Sequence, residues 1–308
     1  MNYKKAFLFS GQGSQYVGMG KDLIDNFNLA YEMMIKAGDI LGMDLMDICI
    51  NGPEEVLNNT RNTQPAIFTI SMIINRILLK KGIKPDTVAG HSLGEYSALC
   101  AAGVFSFEDG LKLVRQRGIL MDEAVPEGKG TMAAVIGLNS EQIKEVCAKT
   151  EGICEVANYN TPQQTVISGE NSAVKKAVKI AKDDGAKKVV ELDVSGPFHS
   201  TLMKPAQEKL TKIINNIEFK QPEINIIANV SADYEDSPEK IRERLIEQLT
   251  DSVRWVESVN KMIDNGNKLF VEVGPGRVLK GLMRRIDRSQ KAYNVQDIKS
   301  LNKLIRKI

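Results

Sequence analysis

The chain has 308 residues, 43% of them hydrophobic and 26% charged, with a formal net charge of +2. That composition suits a large buried core in one large domain or two unequal ones, and the near-neutral balance gives no global footprint for nucleic acid. No apolar run reaches the roughly 18 residues of a membrane span, and the apolar stretch near Met1 is too short for a signal peptide, so a cytoplasmic protein is expected.

In chain order, Lys5 to Ser10 reads as a short buried strand running into the glycine turn Gly11-Gln12-Gly13-Ser14-Gln15. Helical patterns follow. The clearest spans Thr63 to Lys81, with Ile67, Ile70, Ile73, Ile74, Ile77 and Leu78 at helical spacing and Gly82 and Pro85 behind it. Thr87 to Gly90 reads as a second strand, followed by helices from Leu93 to Ala102 and from Ser106 to Val125. The rhythm then changes to strand (Thr131–Ile136), helix (Ser140–Lys149), paired strands (Cys154–Tyr159, Thr165–Ser168), helix (Ser172–Asp183) and strand (Lys188–Val194). This βαββαβ order is the ferredoxin-like pattern. The larger pattern resumes with a helix at Leu202–Ile214, a strand at Ile224–Asn229, helices at Glu239–Leu249 and Trp255–Asn265, a strand at Leu269–Val273, and terminal helical segments. The alternation predicts an α/β core with a largely parallel sheet. Residues 1–127 and 196–308 form its large domain, and 128–195 an inserted subdomain.

Gly90-His91-Ser92-Leu93-Gly94 follows a strand and opens a helix. A Gly-x-Ser-x-Gly there places Ser92 on a sharp turn, with the Leu93 backbone N–H aimed at a developing oxyanion. The alternative is a structural turn serine. A working serine needs a base. The chain has two histidines; the ring of His91 should point away from its neighbour's hydroxyl, which leaves His199 in Gly196-Pro197-Phe198-His199-Ser200. A satisfied core histidine is the plainer reading of His199, and no carboxylate stands out as its partner. Arg115 and Arg117 lie about 200° apart around their helix. Arg117 shares its face with Leu113, Val114, Leu120 and Met121, so it points inward and must be paired, either with a substrate carboxylate or in an internal salt bridge. Cys49, Cys100, Cys147 and Cys154 show no Cys-x-x-Cys spacing; reduced thiols are expected, and no metal site.

These residues carry a family likeness. Gly11-Gln12-Gly13-Ser14-Gln15, Gly90-His91-Ser92-Leu93-Gly94-Glu95-Tyr96, Arg117-Gly118, Gly196-Pro197-Phe198-His199-Ser200, Gln248-Leu249, Val253-Arg254-Trp255 and Glu272-Val273-Gly274-Pro275-Gly276 together resemble the malonyl-CoA:acyl carrier protein transacylases. The resemblance runs in order over essentially the whole chain. It implies an α/β-hydrolase-like large domain with the ferredoxin-like insert, and a site in the groove between them. By it, Ser92 attacks the malonyl thioester, His199 takes the proton, and the backbone N–H groups of Gln12 and Leu93 form the oxyanion hole. Arg117 binds the malonyl carboxylate, and the main-chain carbonyl of Gln248 orients His199. Phe198 matches the malonyl-selecting version of its motif, and His91, Met121, Met132 and Asn160 are further groove-lining candidates. Ser252 stands where the family usually has proline, which bears on the path of the loop after Gln248.

The implied reaction moves an acyl group between two phosphopantetheine thiols, so no cofactor is expected and ping-pong kinetics are. The partners are malonyl-CoA and an acyl carrier protein in fatty-acid synthesis; the competing readings are a serine hydrolase or thioesterase, a discrete acyltransferase of a polyketide assembly line, and a non-catalytic carrier-binding module. From Arg277 onward ten basic residues face only Asp287 and Asp297. Arg277, Lys280, Arg284, Arg285 and Arg288 are therefore candidates for docking the acidic carrier, against the alternative of solvated helix faces. A monomer is expected.

Overall fold

A computed structural model describes residues 3–126 and 128–308. The expected domain boundary at Glu127 and the first two residues lie outside them. The strands are β1 (Lys4–Phe9), β2 (Thr87–Gly90), β3 (Gly130–Ile136), β4 (Cys154–Thr161), β5 (Gln164–Glu170), β6 (Lys188–Glu191), β7 (Asn225–Ile227), β8 (Tyr234–Glu235), β9 (Asn267–Val273) and β10 (Lys291–Val295). The helices in chain order are α1 (Lys21–Asn26), α2 (Asn28–Leu41), α3 (Leu45–Ile50), α4 (Glu54–Asn58), α5 (Thr60–Lys80), α6 (Leu93–Ala101) and α7 (Phe107–Glu123). They continue as α8 (Ser140–Ala148), α9 (Asn171–Asp183), α10 (Lys204–Ile214), α11 (Pro238–Glu247), α12 (Trp255–Asp264), α13 (Val278–Ile286) and α14 (Ile298–Ile305).

Among the described residues the strands form two sheets. The larger has the order β10-β9-β1-β2-β7-β8, parallel except for β8. Its central strand shows why the core has two sides. Alternate residues of a strand face opposite ways, so Phe7 and Phe9 pack with the α5 and α6 side chains, while Ala6 and Leu8 pack with Trp255, Val259, Leu279 and Met283. The smaller sheet, β4-β5-β3-β6, is antiparallel and carries α8 and α9 against it, which is the ferredoxin-like arrangement. No helix of the described residues is long and apolar enough to cross a membrane.

Several boundaries differ from the sequence reading. β10 was expected to be helical; it is an edge strand paired only with β9 among the described residues, and its mixed burial hides a strand's alternation. The expected strands at Lys188–Val194 and Ile224–Asn229 shrink to β6, an edge strand, and β7, which lies between β2 and β8; in both the pairing ends before the β-forming composition does. Helix α5 begins at Thr60, capped by Asn59, with Pro65 inside it. Proline leaves the carbonyl four residues earlier without its helical donor, and Arg115 Nη1 donates to that Arg61 oxygen at 2.5 Å. The exception thereby stitches α7 to α5.

Candidate active site

The site lies at the C-terminal ends of β1 and β2, where open parallel sheets place their crevices. Phe9 and Gly90 are register partners, so the turn carrying Gln12 and the turn carrying Ser92 leave the sheet side by side. The second turn is tight. A Cβ on Gly90 would sit 1.9 Å from the Gly94 carbonyl carbon, and one on Gly94 would sit 2.1 Å from Phe9 O. Ser92 itself takes φ 51° and ψ −108°, a conformation costing a non-glycine residue about 1–3 kcal/mol. Asn229 holds it there. Its Oδ1 accepts the Ser92 N–H at 2.7 Å and its Nδ2 donates to Gly90 O at 2.7 Å.

Ser92 Oγ lies 2.7 Å from His199 Nε2. On the far side of the ring, Nδ1 lies 2.8 Å from Gln248 O and 3.2 Å from Asp251 O. Carbonyls only accept, so the proton sits on Nδ1 and the Nε2 lone pair faces the serine hydroxyl. Burial, reinforced by the Arg117 charge, pushes the His199 pKa down to about 3, which keeps the ring neutral and able to take a proton. The ring is oriented by main-chain carbonyls; Asp193 lines the cavity nearby without bonding to it.

Arg117 is 1% exposed. Its Nη2 donates to Ser92 Oγ and to Gln248 Oε1, each at 3.1 Å, and its guanidinium carbon lies 5.2 Å from the Tyr96 ring centroid. The alternative of an internal salt bridge fails: among the described residues Arg117 makes no ion pair, and its Nε has no hydrogen-bond partner. A buried cation without a carboxylate is costly, and burial lowers its pKa.

Of the other expected residues, Gln12, His91, Met121, Met132, Asn160 and Phe198 line a cavity of about 470 Å³ that also contains Ser92 and His199. Leu93, Arg117 and Gln248 stand behind that lining. Leu93 is the first residue of α6, so its N–H has no partner within the helix. The His91 ring turns from Ser92 to bond Asn160 Oδ1 at 2.8 Å and packs edge-on to Trp255. Val278, Leu279 and Leu282 bring α13 to the cavity wall; Arg277, Arg284, Arg285 and Arg288 on and beside it are exposed, whereas Lys280 is partly covered and bonds Asn294. Ser252 donates to Val156 O and Val253 N–H to Ala157 O at 2.8 Å, tying the loop after Gln248 to β4. A larger cleft of about 600 Å³, between α8 and the Asp251–Glu257 stretch, has no histidine in its lining. Among the described residues no cluster of side chains could hold a metal ion.

Two residues at the site were not singled out from sequence. Asn229 follows a strand of only three residues and leaves no pattern. Glu95 had a signal, a carboxyl within an otherwise small and apolar helix, and is 2% exposed.

The acyl transferase domain family matches residues 6–307. Proteins named malonyl CoA-acyl carrier protein transacylase from Bacillus subtilis and Haemophilus influenzae are each 45% identical, over 98% and 97% of this chain and 96% and 97% of theirs. A malonyl-transacylase solved in complex with a type II polyketide-synthase acyl-carrier protein superposes with a TM-score of 0.97 at 44% identity, covering 99% of this chain and 100% of that one. The malonyl CoA-acyl carrier protein transacylase of Clostridium perfringens gives a TM-score of 0.96 at 43% identity, covering 99% and 96%. With matches of this extent, and with a serine and an imidazole lining one cavity and a guanidinium bonded to that serine from behind, the chain belongs to the acyl transferase domain family.

Proposed function

We propose that this chain transfers the malonyl group of malonyl-CoA to the phosphopantetheine thiol of an acyl carrier protein, by way of a malonyl ester on Ser92, and so supplies fatty-acid synthesis. The observation that carries the reading is the buried, carboxylate-free guanidinium of Arg117, 3.1 Å from a serine oxygen that is itself 2.7 Å from an imidazole nitrogen. Malonyl offers one group to each: a thioester carbonyl for the serine and a free carboxylate for the arginine.

Ser92 Oγ attacks the thioester carbon as His199 Nε2 takes its proton, and the N–H groups of Leu93 and Gln12 receive the oxyanion. Collapse expels the CoA thiolate, which leaves with the proton from His199. The carrier thiol then gives its proton to the same nitrogen and attacks the ester, and Ser92 recovers its hydrogen. One serine and one base serve both halves, so the kinetics are ping-pong. Gln248 O holds the Nδ1–H throughout, and Phe198, Met121, Met132, His91 and Asn160 shape the groove around the acyl chain. The groove runs between a large domain, 1–127 with 196–308, and the 128–195 subdomain. The exposed arginines on and around α13, beside the cavity mouth, receive the acidic carrier. The enzyme works as a cytoplasmic monomer.

Incubation with malonyl-CoA should add one malonyl group to the intact mass, and Ser92→Ala should abolish the addition. An unlabelled wild-type protein would contradict the reading.

A further inference from the structure

The transfer chemistry leaves the buried carboxyl of Glu95 without a task. Glu95 lies in the first turn of α6, directly behind Ser92, and its Oε2 accepts the Gln248 Nε2–H at 2.7 Å and the Asn229 N–H at 3.2 Å. Gln248 in turn touches every working part of the site. Its Nε2 also donates to Ser92 O at 2.9 Å, its Oε1 accepts from Arg117 Nη2 at 3.1 Å, and its main-chain oxygen takes the His199 Nδ1–H at 2.8 Å. A primary amide has a donor end and an acceptor end. Turned over, it would aim N–H groups at a guanidinium that can only donate, and an oxygen at the Ser92 carbonyl.

We propose that Glu95 is a positioning residue: by accepting from Gln248 Nε2 and Asn229 N, it fixes the Gln248 amide and backbone so that Arg117 and His199 are set in one stroke. The inference rests on the transfer reaction proposed above. It assigns malonyl recognition and the base to a single hidden acceptor.

The charges around Glu95 determine the form in which it works. Arg117 faces it from α7 and favours its ionised form; Glu235, from β8, opposes it and is itself 3.6 Å from Arg244. Tyr96 adjoins it on α6, with its own hydroxyl pushed up to about 12 by burial. Burial dominates and raises the Glu95 carboxyl to about 8. Near neutrality it is a neutral acid whose oxygen still accepts two N–H bonds and does not compete with a malonyl carboxylate for Arg117. At higher pH it ionises, and an incoming carboxylate then meets a second buried anion.

The test measures acylation of Ser92 by malonyl-CoA and by acetyl-CoA, from about pH 6 to about pH 9.5, for wild type, Glu95→Gln and Glu95→Ala. Glutamine offers the same acceptor, so Glu95→Gln should keep kcat within about threefold of wild type near pH 7, whereas Glu95→Ala should lower it about 10–100-fold by freeing the amide. Wild-type KM for malonyl-CoA should rise about tenfold between pH 7 and pH 9, KM for acetyl-CoA should not follow it, and Glu95→Gln should show no such rise. Wild-type kcat in Glu95→Ala, or an alkaline rise retained in Glu95→Gln, would overturn the assignment; should the alanine variant fail to fold, the glutamine pH profile decides alone. Failure of the wild type to acylate at all would instead strike the transfer reaction.

Discussion

Arg117 is buried and has no carboxylate partner among the described residues, and the proposed transfer gives it one in the malonyl carboxylate. A charge-assisted hydrogen bond contributes about 1.5–3 kcal/mol, equivalent to about 10–100-fold in rate. Arg117→Ala should therefore depress kcat/KM for malonyl-CoA about 10–100-fold more than for acetyl-CoA, measured as acylation rates with both thioesters. Equal losses would make the arginine structural. At this scale, scarcity and helical phase carried the sequence reading far: two histidines left one base for Ser92, and the face shared with Leu113, Val114 and Leu120 turned Arg117 inward. Asn229 and Glu95 escaped because their roles consist of contacts made across 134 to 153 residues, and no local pattern encodes those.

At the scale of elements, the site is two strand-to-helix junctions held edge to edge by β1–β2 pairing, with α13 closing one wall. That helix divides its labour. Leu279, Leu282 and Met283 are buried, while Arg284 and Arg285 are exposed, the latter 3.2 Å from Gln164 Oε1 on β5. Reversing both charges should raise the KM for acyl carrier protein about tenfold, and the effect should shrink with added salt, because such charges act mainly on encounter. Steady-state transfer over a carrier titration, with malonyl-CoA acylation of Ser92 as the internal control, checks this; an unchanged carrier KM removes the patch. Elements with a strong period were legible: α5, α7 and the βαββαβ order all stand within a few residues of where the pattern put them. β10 was not, since Lys291, Ala292, Tyr293 and Asn294 at a sheet edge alternate too weakly to separate strand from helix.

Across the whole molecule, buried ionisable groups link stability to pH. His91 and His199 titrate below the ordinary 6.5 in the folded chain, so below that pH the unfolded chain binds more protons and the stability these rings contribute is lost as pH falls. Glu95 acts in the opposite sense: its folded-state pKa of about 8 lies above the unfolded 4.5, so its share is lost as pH rises through that window. The two partly cancel in the wild type. His199→Gln should uncouple them, with its stability relative to wild type improving by about 2 kcal/mol between pH 7 and pH 5 in urea denaturation. A constant difference would mean that the ring is not held neutral.

The central claim is that a malonyl group parked on Ser92 is handed to a thiol, and it is tested by isolating the malonyl-enzyme and following its fate by intact mass in buffer and with phosphopantetheinylated acyl carrier protein. The carrier should strip the malonyl group and appear as malonyl-carrier, while the buffer control stays acylated over the same interval. Release of free malonate as the main product in the presence of carrier would contradict it.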